Sequence, residues 1–311
     1  MKILVTGGAG FIGSHVVDAY RAAGHGVVVV DDLSSGSGKF LPRDVPFYLM
    51  NIGSAELRKV FEMEKPDVVC HHAAQVSVVV STRQPVLDAQ VNGLGLLNVL
   101  ECSRVSGVKK FIFISSGGAI YGDARGRKLA EDHPPTPESP YAIHKLLGEH
   151  YLRFYGAQHG LQWTALRYAN VYGPRQNPLG EAGVVAIFVA KVMAGEVPVV
   201  NAYPEEPDGM ERDYVYVEDC ARANVLALDK GAGQAINIGT SHPVRTRELL
   251  AAICRVAGKE LKYTRAGPRP GDIRSSCLDN SRAASVLGWK PAFTLDEGLA
   301  RTFAWFSGSH A

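Results

Sequence analysis

Three glycines, Gly7, Gly10 and Gly13, stand between an apolar run, Lys2–Thr6, and an amphipathic stretch that opens at Phe11. The run reads as a buried strand and the stretch as a helix. Glycine at such a junction permits a tight turn, close backbone approach and close packing of helix on strand. The start of the helix offers unpaired N–H groups and a partial positive charge to an anion. The spacing is GxxGxxG rather than GxGxxG, yet its place at the first strand-helix turn points to a bound pyrophosphate.

The same alternation runs on through the first half of the chain. Strands are predicted at Lys2–Thr6, Val27–Asp31, Phe47–Met50, Val68–His71, Phe111–Ser115 and Trp163–Arg167. Each is apolar along most of its length, as strands covered on both faces are. Helices are predicted at Phe11–Ala23, Ala55–Glu64, Pro85–Ser106 and Pro140–His159. Right-handed crossovers then give an α/β fold, a doubly wound parallel sheet of the Rossmann kind. After Arg167 the texture changes. Asn170–Gly183 and Asn201–Arg212 read as loops, Tyr214–Val217 and Gln234–Ile238 as strands, and Val184–Gly195, Thr246–Gly258, Ser281–Leu287 and Leu295–Phe306 as helices. This predicts a cofactor domain over 1–173, with the chain returning to it at about 214–240, and a smaller C-terminal α/β substrate lobe over 174–311.

Composition narrows the classes. A net charge of +2 with no basic stripe argues against nucleic acid. The cysteines, five in number, are scattered, with no CxxC pair, so they read as reduced thiols and metal is not expected, His71-His72 included. No apolar run approaches the ~20 residues that span a bilayer. Met1–Thr6 runs straight into a strand with no signal-peptide architecture, and a cytoplasmic protein is expected.

Asp31 closes the second strand, 18 residues beyond Gly13, where a carboxylate can accept hydrogen bonds from an adenosine ribose. It would repel a ribose phosphate, since one close like-charge pair costs roughly 4 kcal/mol at an effective dielectric near 20. With Asp32 adding charge, NAD is expected rather than NADP. Tyr141 and Lys145, four apart behind Ser139-Pro140, share one helix face. A phenol acting as base at neutral pH needs its pKa lowered by roughly 3 units, about 4 kcal/mol. A neighbouring ammonium and a positively charged nicotinamide both push that way. Phe111–Ser115 ends in Ser115-Ser116-Gly117-Gly118, where a hydroxyl projects toward a ligand crevice. Counting from the strand selects Ser116 as the proton relay; counting back from Tyr121-Gly122 lands on Gly117, which has no hydroxyl.

Taken together, Thr6–Gly13, Asp31–Gly36, His72–Gln75, Asn92, the Tyr141/Lys145 pair, Leu166–Arg175, Arg212–Val217 and Arg269–Asp272 resemble the extended short-chain dehydrogenase/reductase family. The likeness runs along nearly the whole chain and is strongest to its UDP-glucose 4-epimerase branch. It implies a homodimer joined through the helices at Pro85–Ser106 and Pro140–His159, and NAD-dependent 4-epimerisation of a UDP-sugar through a transient 4-keto form. It implies an NAD site made by Gly7, Gly10, Phe11, Ile12, Gly13, Asp31, Asp32, Ser34, Gly36, Asn51, Ile52, Ala73, Ala74, Gln75, Asn92, Ser115, Tyr141, Lys145 and Tyr168. On the substrate side it implies Ser116 at the reacting oxygen, Asn170 on the sugar diphosphate and Val185 beside the uracil. Arg212 and Arg269 would meet the diphosphate, Asp272 the uridine ribose, and Ser276 would gate the sugar. A serine at that gate leaves room for an N-acetyl group. Asn51 stands where the family often carries Asp. The rivals are a nucleotide-sugar reductase or dehydrogenase, a 4,6-dehydratase or decarboxylase, and a non-catalytic NAD-binding redox sensor. Dehydratases need an acid and base pair where this chain has Gly117 and Gly118.

Overall fold

The computed structural model describes residues 1–178, 183–269 and 272–308; the motif positions Pro270 and Gly271 lie outside the described residues. Its strands, in chain order, are β1 (Lys2–Thr6), β2 (Gly26–Asp31), β3 (Phe47–Leu49), β4 (Val68–His71), β5 (Lys110–Ser116), β6 (Gln162–Tyr168), β7 (Asn170–Tyr172), β8 (Val199–Asn201), β9 (Glu211–Tyr216), β10 (Gln234–Ile238), β11 (Pro243–Arg245), β12 (Thr264–Ala266) and β13 (Ser275–Ser276). A seven-stranded sheet runs β3-β2-β1-β4-β5-β6-β10, parallel throughout. Strand order reverses between β1 and β4, so a crevice opens there at the carboxyl ends of the strands. This is the doubly wound fold expected from the alternation.

Both faces of the sheet are covered, which is why its strands read as continuous apolar runs. Ile112 and Ile114 of β5 face one core with Leu166, Tyr168 and Ile236. Phe111 and Phe113 face the other, with Leu100, Leu152 and Trp163. A third core lies under the second lobe, around Phe188, Tyr214, Tyr216 and Leu250. There β9 pairs with β7, β11 and β13, and β8 pairs with β12.

The structure departs from, or adds to, the sequence reading at several places. Asn170–Tyr172, read as loop, is a strand, because β9 supplies its hydrogen-bond partners. The strand expected at Tyr214–Val217 begins at Glu211 and lies in the second sheet. The chain therefore rejoins the first layer with the helix Val217–Ala227, packed on Phe11–Ala22, and with β10. Val78–Arg83, a β-branched run, is a helix, started by the Ser77 hydroxyl accepting from the Val80 N–H at 3.0 Å. The helix expected at Pro85–Ser106 is interrupted: Pro85–Asp88 and Leu96–Val105 are α-helical, while Ala89–Gly95 is wound as a π-helix. Such widened turns gather at functional sites. Among the described residues no helix is long and apolar enough to cross a membrane, and no cluster of His, Cys, Asp or Glu could hold a metal.

Candidate active site

Gly7 leaves β1 with φ +69°, a region glycine enters at no steric cost. A Cβ on Gly7 would stand 2.5 Å from the Ala73 nitrogen, and one on Gly13 would stand 2.1 Å from the Gly7 oxygen. The β1 turn and the segment after β4 therefore meet with no room for side chains. Helix Phe11–Ala22 starts at this point, and Gly10 gives it no side-chain cap. The N–H groups of its first turn have no acceptor within the helix. A backbone cradle of this kind fits a pyrophosphate.

Asp31 is buried at the end of β2, its Oδ2 accepting from Ala9 N–H at 2.9 Å and its Oδ1 from Leu33 N–H at 2.8 Å. Burial pushes its carboxyl up, against the pull of those N–H groups. A carboxylate has about four lone-pair sites, so two remain for ribose hydroxyls. Asp32 accepts from Ser34 N–H at 3.0 Å and from Asn51 Nδ2 at 2.8 Å, while Asn51 Oδ1 accepts from Gly53 N–H at 2.8 Å. Asn51 thus spends its amide on shaping this rim and keeps one lone pair for an adenine amine. Asn92 accepts from the Gln75 N–H at 3.0 Å and donates to the Gln75 carbonyl at 2.9 Å, fixing the segment Ala73-Ala74-Gln75 against the π-helical turn.

Three expected cofactor contacts face elsewhere. On a strand, neighbouring side chains point to opposite faces. Ser115 shares its face with Phe111 and Phe113 and donates to Glu149 Oε1 at 2.6 Å, away from the crevice. Tyr168 shares its face with Leu166, and its phenol is bonded to Asn224 inside the first core. The Ile52 side chain is packed in the second core. All three side chains are buried inside the protein.

Tyr141 and Lys145 lie on the helix Pro140–His159, capped by Ser139 Oγ accepting from Ala142 N–H at 3.2 Å. Gly148 brings this helix down onto β5, since a Cβ there would sit 2.4 Å from the Phe113 ring. The close approach carries the buried Lys145 to the sheet, where its Nζ donates to the Ile114 carbonyl at 2.8 Å and lies 5.7 Å from the Tyr141 ring centroid. Burial lowers the Lys145 ammonium to about 8, opposed by the Asp88 carboxylate. Burial also pushes the Tyr141 phenol up to about 12, a hydrogen bond with Ser116 draws it back, and Asp88 raises it further. Of the two adjacent serines it is Ser116, the residue reached by counting along the strand, whose hydroxyl draws the phenol down. The upward displacement of Tyr141 means that Ser116 alone does not make it a base at neutral pH; added positive charge has to supply the rest.

The second sheet gathers Asn170, Arg212 and Ser276, the first and last of them beside Gly118, which follows Ser116 by two residues. Asn170 is opposite Tyr214, and Ser276 opposite Arg212. A Cβ on Gly118 would come within 3.0 Å of Asn170 Oδ1 and 4.0 Å of Ser276 Oγ. Arg212 donates to the carbonyls of Glu211 and Ile273, both at 2.8 Å, and burial lowers its pKa. Arg269 and Asp272 pair with each other: Asp272 Oδ2 accepts from the Arg269 N–H at 2.9 Å, and the guanidinium stands 3.7 Å away. Val185, expected beside the uracil, is buried in the third core, and its neighbour Val184 is partly exposed. Sequence reasoning missed two polar groupings. One is Arg167 with Glu149 and Tyr121; the other is Asp88 with His144, Gln75 and Asn92. The four-residue interval from Asp88 to Asn92 was a usable signal, but nothing in the chain announces its pairing with His144.

Residues 3–239 match the NAD dependent epimerase/dehydratase family. The chain belongs to that family. Among curated relatives of this NAD dependent epimerase/dehydratase, a UDP-glucose 4-epimerase of Mycolicibacterium smegmatis is 44% identical, over 98% of each chain. The UDP-glucose 4-epimerase of Thermotoga maritima, solved with UDP-glucose, superposes with a TM-score of 0.95 at 47% identity, covering 99% of both chains. That of Thermus thermophilus, solved with NAD, gives a TM-score of 0.95 at 46% identity over the whole of both chains.

Proposed function

We propose that this protein is an NAD-dependent UDP-sugar 4-epimerase, an isomerase interconverting UDP-glucose and UDP-galactose or their N-acetyl forms. One observation supports the reading: Tyr141 stands with Lys145 and Ser116, in a fold whose first strand-helix turn is a side-chain-free backbone cradle. Gly7, Gly10 and the first turn from Phe11 to Gly13 would hold the pyrophosphate of NAD, Asp31 its adenosine ribose and Lys145 its nicotinamide ribose. Bound NAD supplies a hydride acceptor for sugar carbon 4 and, once reduced, the hydride donor that restores it. Tyr141, hydrogen-bonded to Ser116, takes the proton of the 4-hydroxyl and returns it at the end of the turnover. Asn170, Arg212 and Arg269 would anchor the diphosphate while the 4-keto sugar turns over, and Asp272 would take the uridine ribose. Guanidinium forks suit phosphate oxygens. Ser276 is small and next to Gly118 and Asn170, which supports room for an N-acetyl group.

Dehydratase chemistry is disfavoured by packing as well as by composition. A side chain on Gly117 would run into Leu278 at 2.5 Å, and one on Gly118 would run into Asn170. A redox sensor needs no phenol-ammonium pair. A net reductase or dehydrogenase would consume added cofactor with each turnover. Incubation with UDP-glucose and with UDP-N-acetylglucosamine, without added NAD, should therefore yield the 4-epimers catalytically. Conversion of neither, or conversion that depends stoichiometrically on added cofactor, overturns the assignment.

We propose a division of labour in which 1–173, with the return near 214–240, serves the cofactor and the rest of 174–311 serves the nucleotide sugar, with Asn170–Tyr172 and Glu211–Tyr216 joining the second sheet. A cytoplasmic location is part of the same proposal. We also propose a homodimer through the helices around Pro85–Val105 and Pro140–His159. Val86, Leu94, Ile143 and Phe154 on them are 50–70% exposed, an apolar face in need of a cover. Sedimentation equilibrium should return twice the chain mass; a monomer at micromolar concentration sinks this assembly.

A further inference from the structure

A buried acid that the epimerase reading leaves unused stands against the proton-handling pair. Asp88 is fully buried at the end of the helix Pro85–Asp88. Its Oδ1 accepts from Gln75 Nε2 at 2.7 Å and Asn92 Nδ2 at 2.9 Å. Its Oδ2 lies 2.6 Å from His144 Nδ1. His144 immediately precedes Lys145 on the catalytic helix. One carboxylate thus ties together the segment after β4, the π-helical turn that carries Asn92, and the helix that carries Tyr141 and Lys145. A buried carboxylate survives only with such partners.

Its charge also bears on both catalytic groups, keeping Lys145 protonated and working against ionisation of Tyr141. Arg83, Glu101 and Arg104, on helices packed against the catalytic one, are exposed to solvent. His71 and His72, where β4 ends, are lowered by burial and by Lys145. Glu149 is bonded to Arg167 and Ser115.

We propose that Asp88, clasped by His144, is a positioning residue for proton transfer: it pins the Tyr141–Lys145 helix to the Asn92 turn and sets the charge balance in which Tyr141 ionises. This rests on the 4-epimerase reading with Tyr141 as base. Facing a carboxylate, His144 Nδ1 must be the donor, whether the ring is neutral or protonated. Removing the Asp88 charge eases ionisation of Tyr141. Removing the His144 donor leaves that charge less neutralised and makes ionisation harder.

The test uses the NAD-loaded enzyme with UDP-galactose. It reads kcat against pH, and separately the phenolate absorbance of each protein minus that of its Tyr141→Phe counterpart. Asp88→Asn should move the acid limb, and the phenolate transition, down by ~0.5 pH unit or more; His144→Ala should move them up. Both should lower kcat by about 10-fold or more while KM stays within about 3-fold. A purely structural role would reduce activity without moving either transition. Curves that superimpose on the parent, or that shift in the same direction, overturn the proposal. If Asp88→Asn does not fold, the upward shift in His144→Ala, a partly exposed site, carries the test. Activity surviving in Tyr141→Phe would defeat the epimerase reading itself; an inactive Tyr141→Phe with unshifted Asp88 and His144 variants defeats this inference alone.

Discussion

Tyr141→Phe will abolish epimerisation while NAD stays bound. The substitution removes one oxygen from a side chain in contact with Ser116 and near Lys145, and it leaves the dinucleotide cradle at Gly7 and Gly13 untouched. A positioned acid-base group contributes roughly 10²–10⁴-fold to rate, so kcat should fall by at least that range. KM for the UDP-sugar should change little, because the proposed diphosphate anchors Asn170, Arg212 and Arg269 lie outside the helix that carries Tyr141. In the parent enzyme activity should rise with pH as the phenol ionises, and that acid limb should be missing from any residual activity in the variant. NAD content per chain, measured after denaturation, supplies the control. Ordinary turnover in the variant would remove Tyr141 from its role, and an empty variant would mean that the phenol holds cofactor instead.

The second large effect is on stability. Arg167 and Glu149 are 4% and 1% exposed and meet through two hydrogen bonds, Nε to Oε1 at 2.9 Å and Nη2 to Oε2 at 2.6 Å. Burial works against the Arg167 charge, but the bonds and charge of Glu149, with Tyr121, hold the guanidinium above its ordinary value. Arg167→Met leaves the Glu149 carboxylate buried with Ser115 as its remaining hydrogen-bond partner, which should cost about 3–5 kcal/mol. The urea midpoint should fall with little change in slope. Replacing both partners together, Arg167→Met with Glu149→Leu, should recover most of the loss, because no unpaired charge remains. A single variant as stable as the parent would show that water reaches this site and that the pair is not what holds β6 to the catalytic helix.

Much of the site was legible from local pattern. The glycine turn, Asp31 at a strand end and the Tyr141/Lys145 interval each depend on neighbours a few residues away, and in the structure Asp31 is bonded to the turn through the Ala9 N–H. Local reasoning failed where direction depended on the strand's two faces. Ser115 and Ser116 are adjacent and chemically identical, yet one turns inward to Glu149 and the other outward to Tyr141. Tyr168 likewise points into a core, where it meets Asn224 from a helix distant in sequence, and Val185, on its own helix, is buried in the third core.

Strand and helix periodicity and the steric freedom of glycine act over a few residues. The order of amino acids was therefore enough to specify the parallel sheet, the phosphate-binding turn and the chemical types at the catalytic centre. Three outcomes emerged only in the folded chain: that Ser115 turns to Glu149, that Asn170–Tyr172 is a strand, and that Asp88 pairs with His144 on the catalytic helix. Each rests on partners far apart in sequence, and on burial, which no local pattern reports.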